Sequence, residues 1–169
     1  MIFVKKHFTF QNRYFYRNEY MPLTRFRLPF VLTLCFCLSS LAVWAQVQES
    51  ADEAFQQAAE HHRPVLLVFA GSDWCAPCVH FEKKILAEHS FQDFAGANLV
   101  LLKADFPQRT RQPESLRKQN EALAEKYNPT GIFPYILLLR DNGNVVKILN
   151  YRNESPAQFI DEIKPLLLP

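Results

Sequence analysis

Cys75 and Cys78 stand two residues apart in the run Trp74-Cys75-Ala76-Pro77-Cys78, and two thiols at that spacing have three chemistries open to them. They can exchange with other disulfides, ligate a metal, or carry a covalent haem. A c-type haem needs a histidine directly after the second cysteine, and Val79 stands there instead. A structural zinc site takes four ligands; the chain has no second CxxC, and His61, His62, His80 and His89 supply two at best. Disulfide exchange needs only a nucleophilic thiolate and a second thiol close enough to resolve the mixed disulfide. No metal and no cofactor are expected.

The elements around the pair predict which thiol does which. Pro64 to Ala70, PVLLVFA, is a continuous apolar run of strand length, the pattern of a strand buried on both faces. It passes through Gly71-Ser72-Asp73-Trp74 to the cysteines. From Ala76 to about Glu88, Cys78, Phe81 and Ile85 share one stripe and Val79 and Leu86 a neighbouring one, with His80, Lys83 and Lys84 opposite, which predicts a single amphipathic helix. Cys75 then lies at a helix N-terminus, where unpaired N–H groups and the helix dipole stabilise a thiolate. It is the expected nucleophile, and Cys78, one turn inside, the expected resolving thiol.

The rest of the chain predicts the frame. Ser50-Ala51-Asp52-Glu53 fits a capping box, with Phe55, Ala58 and Ala59 at helical spacing up to Pro64. Asn98 to Phe106, NLVLLKADF, reads as a second buried strand, and a polar segment from Pro107 to Gln112 leads to a helix from about Pro113 to Tyr127. PYILLLR, Asp141-Asn142-Gly143 and Val145 to Leu149 read as strand, tight turn and strand. Ser155-Pro156-Ala157-Gln158 is a second capping box, opening a closing helix with Phe159, Ile160, Ile163, Leu166 and Leu167 on its apolar face. Together these predict an α/β fold: a three-layer α/β/α sandwich around a mixed four-stranded sheet, with an extra N-terminal helix.

With the strand, WCAPC and a following helix in place, and with Gly131-Ile132-Phe133-Pro134 before a later strand, the chain resembles the thioredoxin superfamily from about Arg63 to Leu167. GSDWCAPC together with YNPTGIFPYILLL is similar, more narrowly, to exported bacterial thioredoxin-like proteins. The resemblance implies a protein thiol–disulfide oxidoreductase. It also implies a cis proline beside the CxxC, which by position is Pro134, with Phe133 before it pairing its backbone with an extended substrate. Three places depart from the pattern. Phe69 stands where thioredoxins have a buried acid six residues before the first cysteine, Ala76 replaces the usual glycine, and Phe133 is bulkier than the usual residue. Proton handling and substrate choice are therefore expected to differ.

Other residues near the pair carry two readings. Trp74 either shields the thiolate and contacts substrate, or covers the apolar end of the sheet. Asp73 reads as a solvated loop charge that would oppose thiolate formation if it lay near the sulfur. His80 reads as an exposed histidine, and the charges between Arg109 and Lys126 as a solvated helix face or a partner-docking surface.

Residues 28–45, LPFVLTLCFCLSSLAVWA, carry no charge and follow Arg25 and Arg27, which reads as a signal peptide cleaved after Ala45. The competing reading is a membrane anchor. The first 20 residues are rich in aromatics and bases, and Met21 opens a short basic segment of its own, so translation starts at Met1 or Met21. The expected division is thus 1–45 as extension and signal peptide and 46–169 as one thioredoxin-like domain of 124 residues. Residues 1–45 hold 6 of the 19 Lys and Arg and 1 of the 17 Asp and Glu, leaving 13 bases against 16 acids, a net charge of −3. No basic patch argues for nucleic acid. Cys35 and Cys37 leave with the export segment, so the remaining pair is too close to staple a fold and its value is chemical.

The expected partners are protein thiols and disulfides and an electron donor or acceptor in the periplasm or outside the cell, met by a monomer. A disulfide isomerase would need a dimerisation segment, and none is visible. The rival class is a redox-inert module that holds peptides along Phe133 and Pro134 over a locked disulfide.

Overall fold

The computed structural model describes residues 46–167, which fall within one compact unit, Ala42–Pro169. The export segment, its cleavage and the choice between Met1 and Met21 lie outside the described residues. In chain order the elements are β1 (Val47–Gln48), α1 (Ala51–His61), β2 (Val65–Ala70), α2 (Ala76–Phe81), α3 (His89–Asn98), β3 (Val100–Asp105), α4 (Glu114–Tyr127), β4 (Tyr135–Leu139), β5 (Val145–Leu149) and α5 (Pro156–Ile163).

The strand order is β1-β3-β2-β4-β5. β2 runs parallel to β3 and antiparallel to β4, and it is buried along its whole length. Both faces of β2 are covered, which is why its sequence is apolar without alternation. Leu66, Val68 and Ala70 pack with Cys75, Cys78, Phe81, Phe91 and Phe159, under α2, α3 and α5. Val65, Leu67 and Phe69 pack with Ala54, Ala58, Leu123 and Tyr127, under α1 and α4. This is the expected three-layer sandwich.

Three expectations are corrected. The sheet has five strands and not four, because Val47 and Gln48 pair in parallel with Leu101 and Leu102 at its edge. Two residues carry no alternation, so nothing in their types announces a strand. The helix expected from Ala76 to Glu88 is regular only to Phe81 and continues as a π-turn over Glu82–Leu86, with the Ala87 N–H donating to the Glu82 carbonyl at 2.8 Å. The wider turn buries both Ile85 and Leu86. A separate helix, α3, then occupies a stretch expected to be a connection. Phe91 and Ala95 bury it, and the Gln92 side-chain amide donates to the Leu86 carbonyl to join it to the π-turn.

The helix ends follow their capping residues. Ser50 Oγ accepts the Glu53 N–H at 3.3 Å at the start of α1, and Ser155 and Gln158 form a complete capping box on α5.

The same topology brings three loops together. β2 and β3 end in register at Ala70 and Asp105, and β4 begins at Tyr135 opposite Phe69. The carboxyl ends of two parallel strands therefore deliver segments 71–75 and 106–113 side by side, and the turn before β4 arrives next to them.

Candidate active site

Cys75 and Cys78 form a disulfide. Cys75 is the N-cap of α2 in extended conformation, and its Sγ accepts the Cys78 backbone N–H at 3.2 Å. Pro77 lies in the first turn, where its missing N–H removes nothing from the helix. In the closed form both residues are buried, Cys75 at 5% exposure and Cys78 at 2%. Both belong to the apolar cluster with Phe81 and Ile85, but their places on the backbone differ: Cys75 caps α2, whereas Cys78 lies inside its first turn.

The peptide bond between Phe133 and Pro134 is cis, as the resemblance implied. Phe133 packs against the cluster that contains both cysteines, and its ring meets the Trp74 indole edge-on with centroids 5.3 Å apart. The preceding turn is held by the buried side chain of Asn128, whose Nδ2 donates to the Ile132 carbonyl at 2.9 Å while its Oδ1 accepts the Ile132 N–H at 3.0 Å. One amide thereby satisfies two backbone groups of a segment that has no ladder of its own.

Trp74 covers the apolar end of the sheet, the second of its two readings. Its Nε1 donates to the Phe106 carbonyl at 2.7 Å, and Phe106 stacks on Phe69 and meets Phe133 edge-on, so the indole caps an aromatic cluster at the end of the sheet. It is still 38% exposed, which leaves a face of the ring open beside Cys75. Gly71 makes this possible, because a Cβ there would lie 2.3 Å from Trp74 Cε2.

Asp73 is the part-exposed loop charge expected, with partners that its position does not announce. Its carboxylate accepts three successive backbone N–H groups, from Gln108 at 2.9 Å, Arg109 at 2.7 Å and Thr110 at 2.9 Å. The Gln108 bond leads in holding its pKa below the ordinary value of 3.8. Asp105 acts next to it, with Oδ1 accepting the Ser72 N–H at 2.9 Å and its backbone carbonyl accepting from Asn120 at 2.9 Å and Gln112 at 3.1 Å.

Phe69 is wholly buried between Phe106 and Tyr135, so an aromatic ring fills the place of the thioredoxin acid. On the cysteine side of the sheet, Lys103 reaches both oxygens of Glu82, at 3.1 and 3.2 Å. His80 is exposed, and its Nδ1 lies 2.7 Å from the Tyr151 hydroxyl. The exposed charges of α4 pair among themselves: Arg117 contacts Glu114 at 2.7 Å and also Glu121.

Gly71, Asp105, Asn120 and Asn128 were not singled out by type or spacing. Only Asn128 had a signal, the Asn-Pro step that ends α4. The others owe their roles to contacts across the chain, 33 residues from Ser72 to Asp105 and 15 from Asp105 to Asn120, or to a side chain folding back over a glycine.

A family model described as thioredoxin-like matches residues 44–140, more than half of the chain. The chain belongs to the thioredoxin-like family. Its relatives include the disulfide bond reductase DsbH of Chlamydia pneumoniae, to which this thioredoxin-like chain is 34% identical over 119 residues, covering 70% of this chain and 71% of the relative. It is 29% identical over 111 residues to the thioredoxin-related protein DsbJ of the same organism, covering 66% of this chain but only 32% of that longer one. A solved structure described as DsbH oxidoreductase superposes with a TM-score of 0.67 at 32% identity, over 74% of this chain and 87% of that one. A disulphide isomerase structure from Xylella fastidiosa, at 20% identity and a TM-score of 0.52 over 68% and 86% of the two chains, shares the fold. Family membership and a closed CxxC pair at the head of α2 make this thioredoxin-like chain a thiol–disulfide oxidoreductase.

Proposed function

We propose that the protein reduces disulfides of other proteins outside the cytoplasm, with Cys75 as nucleophile and Cys78 as resolving thiol. The observation that carries the roles is the N-cap position of Cys75, with the Cys78 N–H donating to its sulfur. Reduction as the working direction is supported by the 34% identity to a protein named a disulfide bond reductase.

The Cys75 thiolate attacks one sulfur of the substrate disulfide, forming a Cys75–substrate disulfide and releasing the other substrate sulfur as a thiolate. Cys78, deprotonated, then attacks Cys75 Sγ, forming the Cys75–Cys78 disulfide and releasing the second substrate thiolate. Two electrons pass to the substrate, and the closed pair is the product state. A dithiol donor restores the open pair by the same two steps in reverse. Trp74, Phe133 and the cis Pro134 would line the face that receives the substrate, with the open face of the indole and the Phe133 backbone as its contacts.

The test is reduction of insulin by the protein with dithiothreitol as electron source, followed as turbidity. Acceleration over the reductant alone is expected, and it should vanish in Cys75→Ser. No acceleration by the intact protein would leave the reading as a redox-inert peptide-binding module. Measuring the potential of the pair against glutathione tests direction: a value as oxidising as those of dedicated disulfide donors overturns reduction.

We place the working site beyond the inner membrane because residues 28–45 form an uncharged apolar run after two arginines. No helix among the described residues is long and apolar enough to cross a membrane. Sequencing the N-terminus of protein recovered from the cell envelope should find Gln46 at or near the start. Retention of residues 28–45 there would make that segment an anchor and leave 46–169 as the exported domain.

A further inference from the structure

A carboxylate two residues before a nucleophilic cysteine works against the thiolate where it faces the sulfur. The two oxygens of Asp73 take the N–H groups of Gln108, Arg109 and Thr110, a run of successive donors turned toward one anion. The segment they belong to has no helix or ladder of its own and is exposed. Phe106, Pro107, Thr110 and Arg111 of this stretch form one wall of a groove of about 930 Å³ that Trp74 and Phe133 also line, together with Glu114 and Arg117 of α4. The groove is thus continuous with the residue beside Cys75. Two further bonds tie the same loops, from the Ser72 N–H to Asp105 and from Trp74 Nε1 to the Phe106 carbonyl. Asp73 accepts three of these five bonds, all from residues beyond Pro107.

We propose that Asp73 is a positioning residue for substrate selection: it clamps residues 108–110 so that the wall of the groove stands in a fixed place against a polypeptide that carries the target disulfide. The occupant is the substrate chain itself, because the groove opens on to the indole next to the nucleophile. A disulfide too small to reach the wall has no use for the clamp. The inference rests on the thiol–disulfide reading of Cys75.

The test uses the full exported protein, pre-reduced, and compares single-turnover rates with insulin and with the neutral small disulfide bis(2-hydroxyethyl) disulfide. Asp73→Ala should slow insulin by about ten-fold, the effect of one lost positioning contact, and the small disulfide by less than about two-fold. Asp73→Asn keeps one acceptor oxygen and should fall between, which covers the case in which the alanine variant does not fold. Amide exchange at Gln108, Arg109 and Thr110 should be slow in the native protein and fast in the variants. Equal slowing of both disulfides, or a shift in the pH profile of Cys75 alkylation as the sole effect, would show that Asp73 acts on the sulfur and would overturn the clamp. So would an unchanged insulin rate once the three amides have become fast. If the unaltered protein exchanges with neither disulfide, the thiol–disulfide reading fails and takes this role with it; if it exchanges with both and the variants match it, the role alone fails.

Discussion

The Cys78 backbone N–H points at Cys75 Sγ across 3.2 Å. The donor belongs to the first turn of α2, so it stays in place when the disulfide opens and the sulfur becomes a thiolate. Cys78 itself has no such donor and sits against Phe81 and Ile85, where burial penalises an anion.

The two thiols should therefore separate chemically. Iodoacetamide at mildly acidic pH is expected to alkylate the reduced protein mainly at Cys75. Cys75→Ser should abolish exchange, and Cys78→Ser should accumulate mixed disulfides with substrate, visible by non-reducing electrophoresis. Peptide mapping that finds Cys78 labelled first would reverse the two roles.

Gly71 is tested by adding one methyl group. Gly71→Ala places a Cβ 2.3 Å from the Trp74 indole, so the ring has to swing off its seat and release the Phe106 carbonyl. Loss of that hydrogen bond costs about 1 kcal/mol, and the freed indole should show a red-shifted emission together with slower insulin reduction. A variant with native emission and native rate would mean that the seat of Trp74 has no part in exchange.

Lys103 and Glu82 should respond unequally to removal. The Lys103 side chain is 16% exposed and that of Glu82 45%, so Glu82→Ala strands a charge held mostly inside the protein, while Lys103→Met replaces it with an apolar chain of similar length. Urea denaturation of the oxidised protein should give a loss of about 1–2 kcal/mol for Glu82→Ala and a smaller change for Lys103→Met. The opposite order would place the pair in solvent.

Asp73 predicts an acid limb of the stability curve. Its folded pKa lies below 3.8, so its contribution is complete above the unfolded value and is lost as pH falls through the lower folded value. Asp73→Asn should remove that part of the decline in stability below about pH 4 and leave the part due to Glu114, whose pKa is also lowered, chiefly by its hydrogen bond to Arg117. Denaturation midpoints from pH 2 to 7 decide it; parallel curves for the two proteins would mean that the three N–H bonds do not persist in solution.

Much of this protein was legible in its residues because its signals are local. An apolar run such as PVLLVFA reports burial on both faces whatever packs against it, and Ser155 with Gln158 closes a helix end within four residues. The N-cap place of Cys75 was legible for the same reason: a strand, a turn and a helix in succession put it at a helix start without reference to the rest of the chain. The cis bond at Pro134 was expected from resemblance alone, since spacing does not distinguish it from a trans one.

What only the tertiary structure decided depends on partners distant in sequence. Val47 and Gln48 become a strand because β3 offers them a free edge, and the π-turn after Phe81 arises where Ile85 and Leu86 must both reach the core. Asp73 shows the difference most plainly. Its type and position suggested a solvated loop charge, yet its partners are backbone N–H groups 35, 36 and 37 residues away. Every residue but proline has such an N–H, so nothing in the types of Gln108, Arg109 and Thr110 marks them as partners. The alignment of β2 with β3 brings donor and acceptor together, and the long-range pairing of those strands ties a loop carboxylate to a segment 35 residues on.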